Sequence, residues 1–466
     1  MSINSLFEIG SRSLRAVSEQ MDATSQNIAN AESEGYRRRR VTLSSRSVAT
    51  GGLYTSNGAQ DVSSSGVGVE TFERVRDGML EAAANDAQSG ESAAREEGRV
   101  LGVLEGALAT GTDASLSASL ENVFDGFNDL ANNPDDTGVR EALLGKARQL
   151  TDTFGRLDER LGTLTANTEK ALAGNVDTAN KLLDKVAALN EEIQEARAGG
   201  SPDYAAEDAR DQTVKELSKL MPVETQETRS DGYTLTVDGM TVVQGTETTD
   251  LTLKNQNDPT TTTTVEFGDT GVAFEPGDEG GGEIGAQARL LGDTLPGVQS
   301  DLDALANEVV QTVNAEHSAG YDQNGDSGEN FFVDKSGTTA GNTAGNIELS
   351  VQGPDDIAAV AGDGNGNPLP GDTTPAQNIA DLSETLTPQA TDLAAKVGTQ
   401  VQEAASKEEA QAAAGERIQA QIEDVSGVSV DRQMSNLIEQ QQAFAASARV
   451  LTTAREVTDT LLSVAR

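Results

Sequence analysis

The residues that could do chemistry in this 466-residue chain are few in kind. It has no Cys, which excludes disulfides and thiolate metal sites, and the single His, His317, cannot form a multi-His metal site. His317 ends a helical run, where a capping or surface role is the common one. Asp and Glu pairs are so frequent in this acidic chain that no single pair indicates a glycosidase. We therefore predict no catalytic residue and no enzyme activity.

One loop has a spacing that calcium sites use. Asp322, Asn324 and Asp326 occupy alternate positions, as the first ligands of a calcium-binding loop do. However, Ser327 stands where such a loop needs Gly, and Val333 stands where it needs the final bidentate Glu. A Gly/Asn/Asp-rich turn is the better interpretation, so we predict neither a metal nor a cofactor.

Charge is distributed unevenly along the chain. The formal net charge of −42 excludes a simple nucleic-acid binder, because phosphates would be repelled, and disfavours an anionic membrane surface. Residues 1–60 carry +2 and residues 426–466 carry zero, so residues 61–425 carry −44. The acidic middle indicates either a solvated surface that keeps a crowded protein soluble or a high-salt habitat. The run Arg37–Arg40 could bind an acidic neighbour or lie in a solvated turn.

Both ends of the chain have the heptad spacing of a coiled-coil seam. At the N-terminal end the seam comprises Ile3, Phe7, Gly10, Leu14, Val17, Met21, Thr24 and Ile28, followed by Asn30 as a cap and Gly35 in a turn. At the C-terminal end, where Ser429 or Asp431 could cap the helix, it comprises Met434, Leu437, Gln441, Phe444, Ala448 and Leu451 and then shifts phase. Neither end has a helix beside it in sequence to pack against, so the ends are expected to pair with each other or with neighbouring copies.

The middle of the chain is predicted to be helical to about residue 220, with a break at Asn133–Asp135 around Pro134. Alternating residues on both sides of Asp238-Gly239 predict a two-residue β-hairpin. Loops are expected at 259–264, 276–282 and 321–329, a helix at 285–319, a strand at 346–351 and helices from 376 onward.

The length of the chain indicates two or three domains. The predicted fold is mainly α with a β-containing insert, an α+β multidomain arrangement of long antiparallel helices whose terminal helices pair as a coiled coil. The predicted divisions are 1–60 and 426–466 as halves of one helical domain, 61–220, 285–335 and 376–425 as parts of a second, 221–284 as a β-rich insert and 336–375 as an irregular or β segment.

No stretch approaches the roughly 20 apolar residues of a membrane span. Residues 1–13 also lack the uninterrupted apolar run of a cleavable signal peptide and include Glu8. The chain is therefore expected to remain in the cytosol or to leave the cell without a cleaved signal.

The terminal strings resemble those of the flagellar axial proteins, which include rod, hook and first hook-associated subunits. Ser25–Ala31 reads SQNIANA and is followed by Gly35-Tyr36, as in the N-terminal signature of that family. Ser426–Asp431 and Leu437–Arg449 are similar to the matching C-terminal signature. Departures occur at Glu32–Glu34, where Thr-Pro is common, and at Arg432-Gln433, where an acidic pair is usual.

Segments of the interior resemble the hook-associated branch of that family, in which the protein joins hook to filament. The similar segments are Phe127–Pro134 with Arg140, Leu189–Ile193, Asp208–Asp211, Glu216–Ser218, Asp231-Gly232, Asn314–Asp322 and Phe331-Phe332. The resemblance covers nearly the whole chain and is weakest over 337–400.

The resemblance implies a structural adaptor at the hook–filament junction, assembled through its terminal helices. The implied partners are hook protein, a second junction protein or filament subunits, further copies in a ring, and an export chaperone on the C-terminal helix. It also implies export by the flagellar type III route to an extracellular position. The residues assigned to subunit assembly are Phe7, Leu14, Val17, Met21, Asn27, Ile28, Asn30, Gly35, Tyr36, Val428, Asp431, Leu437, Gln441, Phe444 and Leu451.

Two alternatives stay open from the sequence. The first is another axial subunit of hook or rod, although the β-rich middle of those proteins differs from the helical 75–220 region here. The second is a secreted cell-wall enzyme or adhesin with axial-type ends, which would show activity against cell-wall polymer.

Overall fold

The computed structural model describes residues 3–33, 35–45, 67–109, 115–200, 202–228, 232–255, 263–268, 270–275, 281–339 and 341–464. The predicted boundary at 60/61 lies outside these residues, and the loops predicted at 259–264 and 276–282 lie largely outside them. The side chain of Ile3, the first predicted seam residue, is not among those described.

The two ends of the chain form one unit of two helices and a hairpin. Helix α1 spans Ile3–Ala29, strands β1 and β2 span Arg39–Ser45 and Val67–Arg74, and the last helix of the chain spans Val430–Val464. The strands pair antiparallel, with a bulge between Thr42 and Leu43, and the hairpin packs along α1. The last helix also packs along α1, so residues far apart in sequence become neighbours. We call α1, the hairpin and the last helix the terminal unit.

Four helices follow the hairpin: α2 (Gly78–Leu108), α3 (Leu116–Asn132), α4 (Thr137–Ala198) and α5 (Tyr204–Leu220). Each begins after a residue whose side chain accepts hydrogen bonds from the first free backbone amides, which stabilises the start of a helix. These N-cap residues are Asp77, Ser115, Asp136 and Asp203. The break predicted around Pro134 is confirmed between α3 and α4.

The β insert follows α5. Strands β3 (Glu224–Thr228), β4 (Gly232–Val237), β5 (Met240–Gln244) and β6 (Glu247–Thr248) form an antiparallel sheet in sequence order, and β7 (Leu251–Lys254) pairs with β8 (Thr264–Phe267). The predicted hairpin between β4 and β5 is confirmed, because Asp238 and Gly239 have φ of 49° and 73°, as a type I′ turn requires. Asn180 of α4 bonds both backbone groups of Leu251, which fixes the insert on that helix.

The chain then returns to helix. Helix α6 (Gly282–Arg289) continues through a π-helical turn at Leu290–Thr294 into α7 (Leu295–Ser318). A side chain at Gly282 would lie 2.3 Å from the carbonyl carbon of Leu220, and the φ of Gly282 is 60°, so the residue has to be Gly. The predicted helix at 285–319 is thereby confirmed, with a π-turn that the sequence analysis does not predict.

Short strands and two more helices lead to the last helix. Strands β9 (Phe332–Asp334) and β10 (Ile347–Leu349) pair, and helices α8 (Thr374–Asp381), α9 (Ser383–Ser426) and α10 (Val430–Val464) complete the chain. Helix α9 runs along α2, and α3 packs on α4 and α8. We call α2–α9 with their strands the body.

The body has a single continuous apolar core, which extends from Val100 to Val397. It includes Phe124 and Phe127 of α3, Phe154 of α4 and Phe331 just before β9, and most of its other members are Leu, Val, Ile and Ala. Among the described residues, this core includes none from α1, β1, β2 or α10. The same described part of the chain contains no helix long and apolar enough to cross a membrane.

Candidate assembly surface

The two terminal helices run antiparallel. Gly10 lies against Leu451, the Oγ atoms of Ser13 and Ser447 are 2.9 Å apart, and Asn27 donates to Gln433 at 3.3 Å. Because Gly10 has no side chain, Leu451 can approach the backbone of α1: a Cβ there would lie 2.8 Å from the Leu451 side chain. Gly10 is a poor seam residue by hydrophobicity, but its lack of a side chain leaves the space into which Leu451 packs.

Most of the side chains of α10 that are not exposed follow one another at steps of three or four, in a register that differs from the predicted one. They are Gln433, Leu437, Gln440, Ser447, Ala448, Leu451, Ala454 and Thr458. Half of the predicted seam residues, namely Leu437, Ala448 and Leu451, are among these side chains. Met434 and Gln441, in contrast, are exposed. The contact with α1 therefore also uses Gln433, Gln440, Ser447 and Thr458, small or polar residues that the predicted seam does not include.

The apolar residues that α10 leaves exposed lie on two sides of the helix. Val430, Met434 and Ile438 follow one another at steps of four, and Ile438 is 53% exposed. Val450, Val457 and Leu461 lie on the opposite flank by helical geometry and are also exposed. Phe444 is 40% exposed between the two sets. An apolar surface on both flanks of a helix is typical of a helix that contacts other chains.

A groove of about 630 Å³ opens between the terminal helices. Phe7 and Leu14 line it from α1, and Leu451 and Ala448 line it from α10. These are four residues of the two predicted seams, and they enclose space as well as contact each other. The groove could take an apolar side chain from another molecule.

Asn27 holds the end of α1 to its neighbours. It is buried, with 2% exposed. Its Oδ1 accepts from the backbone N–H of Arg39 at 2.8 Å and from the Tyr36 hydroxyl at 3.0 Å, and its Nδ2 donates to the Arg39 carbonyl at 2.8 Å. Gly35, with φ of 79°, makes the turn that brings Tyr36 back to the helix. The Asn and Tyr of the signature string are thus explained by contacts within the chain.

The other predicted assembly residues occupy different settings. Val17 is buried, Met21, Ile28, Asn30 and Val428 are half-buried, and Asp431 is exposed in the first turn of α10. Ser429, the alternative capping residue, directly precedes that helix.

Each arginine of the run Arg37–Arg40 reaches a different element. Arg37 pairs with Glu81 of α2 at 3.3 Å, Arg38 donates to the Val425 carbonyl at the end of α9, and Arg40 pairs with Glu73 of β2. Arg39 donates to Gln26, lies 3.8 Å from Asp208 of α5, and stacks its guanidinium on the rings of two tyrosines, Tyr36 and Tyr204. Neither interpretation of the run from sequence anticipated this set of contacts.

Arg74 is the most enclosed cation at the same place, with 5% of its side chain exposed. Its guanidinium binds Glu207 at 2.7 Å, Asp208 at 2.7 Å and Asp211 at 2.9 Å, all on α5. Burial works against its charge, but Asp211 and the other two carboxylates outweigh burial and raise the pKa of Arg74. Burial in turn raises the pKa of Asp208, although the hydrogen bond from Arg74 opposes it.

His317 lies away from the terminal unit. The expectation of a surface or capping histidine is wrong, because the residue is fully buried at 0% exposed. Its Nδ1 donates to the Glu329 carbonyl at 2.6 Å, and its Nε2 accepts from the backbone N–H of Ala358 at 2.9 Å, so the ring is neutral. Burial lowers the pKa of His317 to about 4. The residue joins three segments of the body and has no reacting partner.

The loop with calcium-like spacing is a turn. Asp322 accepts from the backbone N–H of Asp326 at 2.8 Å and from the Asn324 side chain at 3.3 Å, with Gly325 at φ of 83°. In the part of the chain that the structure describes, no three His, Cys, Asp or Glu side chains converge as metal ligands.

Two family models match the chain. Residues 101–332 match the model described as "Flagellar hook-associated protein FlgK helical domain", and residues 421–464 match "Flagellar basal body rod FlgEFG protein C-terminal". The first region lies within the body and the second covers α10.

Relatives with the same printed name match over long stretches. Flagellar hook-associated protein 1 of Bacillus subtilis is 26% identical over 98% of this chain and 97% of its own length. The proteins of that name from Escherichia coli and Salmonella typhimurium are 27% and 28% identical over 71% of this chain. These matches span 60% and 59% of the two enteric proteins.

A solved structure has a similar fold. It is the flagellar hook junction protein FlgK of Burkholderia pseudomallei, with a TM-score of 0.61 over 73% of this chain and 99% of that one. At 16% identity the likeness concerns the fold alone.

Proposed function

Because the chain belongs to the family of flagellar hook-associated protein 1, we propose that it is the structural adaptor between hook and filament. Two model matches and a relative aligned over 98% of the chain carry the family. The proposed action is contact alone, without catalysis.

The surface of α10 supports assembly through the terminal unit. Helix α10 exposes four apolar residues, Val430, Met434, Ile438 and Leu461. The two ends of the chain, residues 1–60 and 426–466, carry almost no net charge. Copies packed side by side would repel each other if this unit carried the charge of the middle, so neutrality suits close packing. The acidic body then faces solvent, where salt screens its repulsion.

The proposed partners follow from the position of an adaptor. Hook protein lies on one side, a second junction protein or the filament on the other, and further copies complete a ring. In that assembly α1 and α10 pack as a coiled coil, and the predicted assembly residues from Phe7 to Leu451 take part in contacts within and between copies.

Export is proposed to use the flagellar type III route, to an extracellular place on the flagellum. A chaperone on α10 would cover its exposed apolar flanks before assembly. An isolated helix with such flanks is marginal in water, so the end can stay unfolded in a narrow channel.

Immunogold electron microscopy tests the proposal on intact flagella. Antibody against residues 221–284, the β insert, is expected to label a narrow band at the hook–filament boundary. Label along the whole hook or filament would make the chain a bulk tube subunit instead. Label elsewhere on the cell, with none on flagella, would favour the secreted enzyme or adhesin.

A further inference from the structure

Two backbone segments connect the terminal unit to the body: residues 75–77 lead from β2 to α2, and residues 427–429 lead from α9 to α10. A third segment, residues 36–38, leads from α1 into β1 within the terminal unit and lies beside them. They are hydrogen-bonded to one another: Arg38 N–H donates to Ser426 at 3.0 Å, and Val75 N–H donates to the Arg38 carbonyl at 2.9 Å. We call this place the joint.

The side chains that cross the joint are polar. Arg37 and Arg38 reach α2 and α9, Arg39 and Arg74 reach α5, and the Tyr204 hydroxyl donates to the Phe72 carbonyl at 2.9 Å. The body's apolar core does not extend into the terminal unit over the described residues. Apolar contacts are non-directional, so the polar contacts have to determine how the two parts are oriented.

Arg74 has the geometry for this role. A planar guanidinium offers five N–H donors in fixed directions, and three carboxylates on two adjacent turns of α5 bind its Nε and one of its terminal nitrogens. Lys could supply the charge but not the fork. With 5% of the side chain exposed, the cluster is also less screened by salt than a surface pair.

We propose that the joint arginines fix the angle between the terminal unit and the body, with Arg74 as the central positioning residue and Arg37–Arg39 as its supports. The inference concerns the orientation of two parts of one chain, and it goes beyond the adaptor function. A subunit whose terminal unit packs in a tube while its body projects outward needs that angle to be the same in every copy.

Spin labels can measure the angle, because the chain has no native Cys to label by accident. Cysteines at two exposed positions, Thr453→Cys on α10 and Ala188→Cys on α4, place one label on each part. Thr453 lies about 35 Å along α10 from its start, so a rotation of about 10° at the joint moves it by about 6 Å. Double electron–electron resonance resolves such a displacement.

The doubly labelled chain with Arg74 intact is expected to give a narrow distance distribution. Arg74→Gln should shift or broaden it by several ångström, while circular dichroism shows that the helices of the body stay folded. Arg95→Gln is the matched control, because Arg95 also contacts two carboxylates, Glu91 and Glu408, but lies wholly within the body. It should leave the distribution as it is.

Two results would overturn the proposal: a folded Arg74→Gln chain with the original narrow distribution, or an equal broadening with Arg95→Gln. If Arg74→Gln does not fold, Arg39→Gln and Asp208→Asn decide in the same way, because each weakens contacts of the joint while Arg74 stays in place. An unchanged distribution in both folded variants rejects the inference. These measurements use the isolated chain, so their failure would leave the adaptor function untouched.

Discussion

Asn27 shows how one side chain can hold three elements together. From α1 it bonds both backbone groups of Arg39 at the start of β1, and it also bonds Gln433 of α10. An amide is suited to this place because it donates and accepts at once. A carboxylate could not donate to the Arg39 carbonyl, and a Leu would leave both backbone groups unpaired.

Asn27→Ala is expected to loosen the end of α1. The Arg39 N–H and carbonyl would lose their partner while largely buried, and an unsatisfied buried group costs about 1–3 kcal/mol. Hydrogen exchange at the Arg39 amide should become faster by the corresponding factor. Asn30→Ala is the control, because the half-buried Asn30 side chain donates to the Gln26 carbonyl of α1 and not to the Arg39 backbone. Equal exchange rates in both variants would contradict the role given to Asn27.

His317 makes the body sensitive to acid. Its pKa is near 6.5 when unfolded and about 4 in the folded chain, where burial disfavours the charged form. Between these values the unfolded state binds a proton that the folded state does not, so stability falls as pH drops from about 6.5 to about 4. At 1.36 kcal/mol for each pKa unit, the loss amounts to about 3 kcal/mol.

Denaturant unfolding at several pH values tests this expectation. Carboxylates also titrate near pH 4, so the quantity to follow is the difference between the unmodified chain and His317→Gln. Gln can accept from the Ala358 N–H but does not titrate. The difference should shrink as the pH falls from 6.5 to 4, and a constant difference would rule out His317 as the titrating group.

Helix α10 packs on α1 with one side, and its exposed flanks are free to contact other chains. Leu437→Pro or Phe444→Asp is expected to abolish incorporation into flagella, because Pro breaks the helix at a cost of about 3 kcal/mol and Asp charges its apolar surface. The body should remain folded, since its described core includes no residue of α10. Motility and electron microscopy of a complemented deletion strain measure incorporation, and circular dichroism measures the fold.

Gln442→Asp is the matched control for Phe444→Asp, because Gln442 is an exposed neighbour on another side of the same helix. It adds the same charge and should assemble normally. Normal filaments with Phe444→Asp would show that this exposed apolar side chain is not used in assembly.

The elements that could be predicted from sequence are those with a clear local signal. The helix period, Pro134 and Asp238-Gly239 located α4, the break before it and the β4–β5 turn. The β1–β2 hairpin was not predicted, because Arg39 and Arg40 begin the first strand and read as a charged turn. The β-branched and aromatic residues Val67, Val69, Thr71 and Phe72 are a signal that could have found the second strand.

The contacts at the joint could not be predicted, for a physical reason. Arg74 and Asp208 are 134 residues apart, and each is one of many similar charges in the chain. Charge alone carries no information about which pairs meet, since that depends on how α5 packs. Part of the register between α1 and α10 could not be predicted from sequence either, because Gln433 and Ser447 face α1 through hydrogen bonds that a count of apolar residues ignores.

Across the chain as a whole, both net charge and apolar packing differ between the two ends and the middle. The terminal residues carry almost no net charge and a polar seam, whereas residues 61–425 carry −44 around one apolar core. Self-repulsion of so acidic a body opposes its folded state. The arginine pairs of the joint are too few to neutralise it.

Raising NaCl from 0.1 M to 1 M is therefore expected to raise the melting temperature of the body by several degrees, because the screening length falls from about 10 Å to about 3 Å. Calorimetry of the chain checks this expectation. KCl at equal concentration is the control and should act alike, since screening depends on ionic strength. A melting temperature that falls or stays constant would mean that repulsion does not limit stability.

The antiparallel contact between the two ends of the chain also means that α1 must wait for its partner during synthesis. Asn27 and Gln433 are 406 residues apart, so α1 leaves the ribosome long before its partner exists. At about 5–20 residues per second, the delay is roughly 20–80 s. During that interval α1 is a newly made helix without its partner, and the body also lacks α9 until residue 426 has been added. Helix α10, which is synthesised late, is therefore the element that completes the packing of α1, which is synthesised early.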